Sequence, residues 1–115
     1  MKKDEPYVLH ILDAVSSIRK FCKGKTKREF LANEMLREAV VRKLEIIGEA
    51  AKRLSKEFRS SVPSAPWTAI AGMRDKLIHG YAGVDYEIVW AVVEDELSNL
   101  EAELRKALKN FSALE

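Results

Sequence analysis

Leu9, Leu12, Val15, Ile18 and Cys22 recur at steps of three and four, which is the spacing of one apolar face on a helix. Asp4 stands as a cap before them, Pro6 suits a first turn and Gly24 ends the run, so the pattern predicts a helix over about 5–23. Thr26 and Glu29 have capping-box spacing, and open a second helix with no breaker to about Phe58. Its apolar seam is Val40, Leu44, Ile47, Ala51, Leu54 and Phe58, a heptad-like alternation suited to shallow-angle packing in an antiparallel bundle. Gly48 interrupts that helix at a cost of about 1 kcal/mol in propensity, which close approach of another helix would offset. The loop "SSVPSAP" follows, residues 60–66. Pro66 then starts a third helix over about 66–79, and Gly80 and Gly83 bracket a turn. Asp85 caps a fourth helix over about 86–111, whose seam is Val89, Val93, Leu97, Leu100 and Leu104. No segment alternates like a strand. The expectation is one all-α domain over 1–115, an up-and-down bundle of about four helices.

Composition narrows the class. With 115 residues, 47% apolar and 33% charged, the chain reads as soluble and globular. The N-terminus lacks a long apolar stretch, and no apolar run approaches the ~20 residues of a membrane span, so no signal peptide and no membrane partner are expected. Cys22 is the single cysteine. It reads as a small, partly buried thiol, and a reducing cytoplasm fits it. Net charge is only +2, but residues 1–60 carry 15 Lys/Arg against 9 Asp/Glu, and residues 61–115 carry 5 against 9. A basic front (+6) and an acidic back (−4) favour an anionic ligand on one side or complementary packing of two chains.

Two stretches are candidates for chemistry. "RKFCKGKTKR", residues 19–28, has six basic residues and no acidic one. Lys23, Lys25, Lys27 and Arg28 could contact RNA phosphates there, or form an ordinary solvated turn. Phe21 within it is expected in the core rather than as a base-stacking platform. The second stretch is "MRDKLIHGY", residues 73–81. It places Arg, Asp, His and Tyr in an apolar, Ala-rich region, where such groups must be paired or wet. Arg74 and His79 are five apart, about 140° around an ideal helix, and do not share a face. Asp75 and His79 are four apart and can touch, so Asp75 could orient the imidazole. Surface ion pairs and a His at a helix end would give the same pattern, and spacing leaves both open. Other chemistries find less support. There is no glycine-rich phosphate loop and no nucleophile elbow, and His10 and His79 lack metal-ligand spacing. Neither a metal nor another cofactor is expected. Glu94-Asp95-Glu96 reads as a solvated helix face.

Arg74-x4-His79-x-Tyr81 resembles the signature of the HEPN superfamily. "PWTAIAGMRDKLIHGYAGVDYEIVW", residues 66–90, and "LEIIGEAAKRLS", residues 44–55, resemble more narrowly the HepT-type toxins. The likeness covers nearly the whole chain. It implies a metal-independent endoribonuclease acting as a homodimer, with Arg74 and His79 catalytic. It also implies a minimal nucleotidyltransferase (MNT-type) antitoxin, in a toxin–antitoxin pair of bacteria or archaea. Tyr81 would be the residue that receives AMP from ATP and so silences the toxin. Asp75 stands where many relatives have Asn. An acid there could strengthen His79 as a base or repel RNA phosphate. A rival reading is a non-catalytic subunit that binds nucleotide or RNA beside the nucleotidyltransferase.

Overall fold

The computed structural model describes residues 2–79 and 83–113, except the side chains of 78, 79, 112 and 113. Among these residues there are helices and no strands, as the patterning requires. Helix α1 spans Glu5–Cys22, α2 Lys27–Ala32, α3 Glu34–Arg53, α4 Lys56–Ser61, α5 Trp67–His79, α6 Tyr86–Asp95 and α7 Leu97–Ala113. The four longer rods α1, α3, α5 and α7 run up, down, up and down. Arg19 near the end of α1 meets Ser98 and Glu101 near the start of α7, and Phe58 in α4 stacks on Phe111 near the end of α7. Helix α3 packs on α1 along one side and on α5 along another. The short helices α2, α4 and α6 form the corners. None of the described helices is long and apolar enough to cross a membrane.

Several local signals act as the sequence predicts. Thr26 Oγ1 accepts from the Glu29 N–H and Glu29 Oε1 accepts from the Thr26 N–H, both at 3.1 Å, which closes the capping box. Asp85 accepts from the N–H groups of Glu87 and Ile88 and so starts α6. Gly24 takes a positive φ of 73° after α1, a conformation glycine adopts without a steric penalty. The seam Val40, Leu44, Ile47, Ala51, Leu54 and Phe58 is buried throughout.

Other expectations are corrected. The second helix is three helices. Asn33 caps α3 by accepting from the Leu36 N–H at 3.0 Å, and Leu54 is extended before α4. The fourth helix is interrupted at Glu96, which separates α6 from α7. Asp4 makes no side-chain cap on α1. Its carboxylate, 1% exposed, instead accepts from the N–H of Ser55 at 2.7 Å and from its hydroxyl at 2.8 Å. Ser55 in turn caps α4 by accepting from the Phe58 N–H. The inward face of α1 is Val8, Ile11, Leu12, Val15 and Ile18, while Leu9 and Phe21 are exposed. Both lie about 120° from the centre of that face on a 3.6-residue helix, so Phe21 is not a core residue.

A cationic cleft between α3 and α5

Gly48 determines how α3 and α5 meet. A Cβ built on it would lie 2.6 Å from Arg74 Cβ and 2.7 Å from Arg74 Cγ. The missing side chain is therefore the slot that takes the aliphatic stem of Arg74. This is the close helix approach expected of Gly48, with a catalytic candidate as the group that fills the space. The slot leaves the Arg74 side chain only 16% exposed.

The guanidinium is held loosely by comparison. Its Nη2 lies 3.5 Å from Glu49 Oε1 and its Nη1 lies 3.6 Å from Asp75 Oδ1, at or beyond the limit of a hydrogen bond. Its Nε is buried and has no hydrogen-bond partner among the described residues. Both carboxylates are mainly solvent-exposed, so they neutralise the cation weakly. A guanidinium with a buried, unpartnered nitrogen is costly, and an incoming oxyanion offers the planar acceptor pair it fits best.

Arg74 opens onto a cleft of about 220 Å³ lined from α3 by Gly48, Ala51 and Lys52, from α4 by Arg59, and from α5 by Trp67, Ala71, Arg74 and Asp75. Glu49, Lys52, Arg59 and Trp67 are residues that sequence reasoning did not single out for this site. Lys52 follows Gly48 by four residues and so shares its face, a signal present in "IGEAAKR". No spacing signal points to Arg59, because α4 turns away from α3 at Leu54.

Asp75 sits beside Arg74; its contact with His79 and the side chain of His79 lie outside the described residues. The backbone of α5 is helical through His79, which keeps the two motif positions about 140° apart around its axis. Tyr81 lies outside the described residues. Lys23, Lys25, Lys27 and Arg28 are exposed at the opposite end of α3, some 20 Å along its axis from Gly48 at 1.5 Å per residue. Lys27 Nζ is 3.2 Å from Glu87 Oε1. The structure does not bring that turn to the Arg74 cleft. Glu94 and Asp95 are exposed, as a solvated face requires. No group of three or more His, Cys, Asp or Glu among the described residues could hold a metal ion. Cys22 is partly buried, and burial, then the nearby Glu94 carboxylate, raise its pKa.

Relatives of the chain carry ribonuclease names. It is 45% identical over 109 residues to a protein named "Putative RNase" in Caldanaerobacter subterraneus subsp. tengcongensis, covering 95% of this chain and 97% of that one. A protein of the same description in Methanocaldococcus jannaschii is 41% identical over 111 residues, covering 96% and 92%. A "Probable ribonuclease HepT" of Thermococcus cleftensis is 36% identical over 108 residues, covering 94% and 98%. No solved structure matches the chain. The family model described as ribonuclease HepT-like matches residues 11–107, which span the α3–α5 cleft and the whole Arg74 motif; the chain belongs to the HepT-like ribonuclease family.

Proposed function

We propose that this protein is a metal-independent endoribonuclease, the toxin of a HEPN/MNT toxin–antitoxin pair, with Arg74 and His79 as its catalytic residues. The observation that carries the reading is Arg74, its stem seated in the Gly48 slot and its guanidinium poorly satisfied, in a member of a ribonuclease family. RNA supplies its own nucleophile. His79 takes the proton of a ribose 2′-OH as that oxygen bonds to phosphorus, and the P–O5′ bond breaks. A second acid protonates the departing 5′-oxygen, and the products are a 2′,3′-cyclic phosphate and a 5′-OH. Arg74 holds the phosphate oxygens as negative charge builds on them.

One chain offers one motif His for two proton transfers. A two-fold dimer with α5 at its interface supplies the second His79. Thr68, Ala69, Ala71 and Gly72 make the solvent side of the first half of α5 small and uncharged, which suits close approach of a second helix. Tyr81 is the acceptor in the silencing step: its oxygen attacks the α-phosphorus of ATP on the nucleotidyltransferase, and pyrophosphate leaves. The attached AMP puts a bulky anion two residues from His79, where it repels RNA.

Purified protein incubated with RNA in EDTA tests the reading. Wild type is expected to cut and leave cyclic-phosphate ends, with His79→Ala and Arg74→Ala losing about 10²–10⁴ in rate. Binding without cutting would instead make it a non-catalytic RNA-binding subunit. Sedimentation showing an active monomer would remove the shared site. Intact mass after coexpression with the cognate nucleotidyltransferase should rise by one or more AMP groups in wild type and not in Tyr81→Phe.

A further inference from the structure

Two cations share the cleft with Arg74, and neither side chain has an ionic partner among the described residues. The side chain of Arg59, in the last turn of α4, makes no hydrogen bond or ion pair among the described residues. Its Nε is buried and unpartnered, as is that of Arg74. Lys52, in the last turn of α3, is exposed and likewise without an ion pair among the described residues. Set against the three cations are the carboxylates of Glu49 and Asp75, both facing Arg74. The cleft therefore keeps a net positive charge, part of it on guanidinium groups whose Nε atoms are buried and unpartnered among the described residues. Such groups are tolerated where an anion completes them.

The cleft also has an aromatic wall. Trp67 is fixed by its indole N–H, which donates to Val62 O at 2.9 Å, and by an edge contact with Phe58. The ring is only partly buried and lines the cleft. A fixed, partly exposed indole beside unpaired cations is the combination that holds single-stranded nucleic acid, with stacking for a base and charge for the backbone.

We infer that Arg59, Lys52 and Trp67 form a binding strip for single-stranded RNA that continues from Arg74 toward the α3–α4 corner. The strand is held there by the backbone phosphate next to the one at Arg74, with a base against Trp67. This rests on the ribonuclease reading for the identity of the polymer, but it makes a separate claim about where the strand lies. It runs away from the basic turn at Lys23–Arg28 instead of over it.

Binding can be read without cleavage. The probe is a fluorescein-labelled, mixed-sequence, twelve-nucleotide 2′-O-methyl RNA, which lacks the attacking hydroxyl, and the signal is anisotropy across a salt series. Arg59→Gln should weaken binding roughly tenfold, as loss of a charge-assisted contact does. It should also lower the slope of log affinity against log salt by about 0.7, the value for one phosphate of a single strand. Arg59→Lys should restore the slope. Trp67→Leu should weaken binding with the slope unchanged. Lys109→Gln, an equal loss of charge on α7, which lends no residue to the cleft, should change neither, and circular dichroism checks that each variant is folded. Unchanged affinity and slope in Arg59→Gln, or an equal effect in Lys109→Gln, overturns the strip. Where the probe binds with this dependence and wild type still leaves natural RNA uncut, the ribonuclease reading fails and the strip stands. Where wild type cuts RNA and Arg59→Gln binds the probe normally, the strip fails and the reading stands.

Discussion

Replacing Gly48 with alanine sets two effects against each other. In an ordinary helix interior the change stabilises by about 1 kcal/mol, because alanine loses less backbone entropy on folding. At Gly48 the new Cβ would come within 2.6 Å of Arg74 Cβ and 2.7 Å of Arg74 Cγ. Carbon pairs prefer about 3.5–4.0 Å, so α3 and α5 must separate by about 1 Å. A change of rotamer moves Arg74 Cγ but not Cβ, whose place is set by the backbone, so the shorter contact cannot be relieved that way. Overpacking of this kind costs about 1–3 kcal/mol, and the net expectation is a loss of up to about 2 kcal/mol. Gly72 on α5 is the control, since a Cβ there meets nothing within 4 Å. Within a single chain Gly72→Ala should stabilise by about 0.5–1 kcal/mol, so the comparison is read on the dissociated chain at low protein concentration. Thermal unfolding followed by circular dichroism should separate the two variants by several degrees. Gly48→Ala should also lose RNA cleavage out of proportion to its stability, because the displaced residue is Arg74. A Gly48→Ala protein as stable as Gly72→Ala and fully active would refute both the slot and its link to function.

Glu49→Gln removes the carboxylate nearest Arg74 Nη2 and should tighten RNA binding by up to about fivefold, in keeping with an exposed ion pair of about 0.2–1 kcal/mol; weaker binding would mean that Glu49 orients the guanidinium. Asp4→Ala leaves the Ser55 N–H and hydroxyl without their acceptor and should cost about 1.5–3 kcal/mol in a urea titration, whereas loss of an ordinary exposed cap would cost less. The Glu29 carboxyl is held below its usual pKa by the Thr26 N–H, then by the Thr26 hydroxyl. Its folded pKa is the lower one, so its contribution is present above the unfolded pKa and lost as pH falls through the folded value. The melting-temperature gap between wild type and Glu29→Ala should therefore close in acid, and a gap that persists would remove the carboxylate from the cap.

Most local signals read correctly, Asp4 being the exception because its carboxylate is taken by Ser55 instead of capping α1. The Thr26–Glu29 box and the Asp85 cap need only neighbours three residues away, and both form. The buried seam from Val40 to Phe58 is also legible, and that continuity hides the break at Leu54. Leu54 and Phe58 keep the apolar rhythm whether or not the helix continues. The deciding cap, Ser55, is anchored by Asp4, 51 positions away. Leu9 misleads because two apolar stripes overlap on α1, and only packing against α3 selects the one through Val8 and Ile11. The cleft is legible in part. The Arg74 motif and the meaning of Gly48 can be read in one dimension. The positions of Arg59 and Glu49 relative to Arg74 depend on how α4 turns and how α5 lies across α3, which no spacing encodes.

The tie between Asp4 and Ser55 acts at a distance from itself. It fixes the corner where α3 ends and α4 begins, and the two arms of that corner carry Lys52 and Arg59. The angle of the corner sets the spacing of those two charges, and hence the width of the cleft mouth. A residue at the start of the chain thus acts as a brace on a surface it never touches. Loosening the brace would leave every cation in place chemically and still blur the register in which they meet a strand.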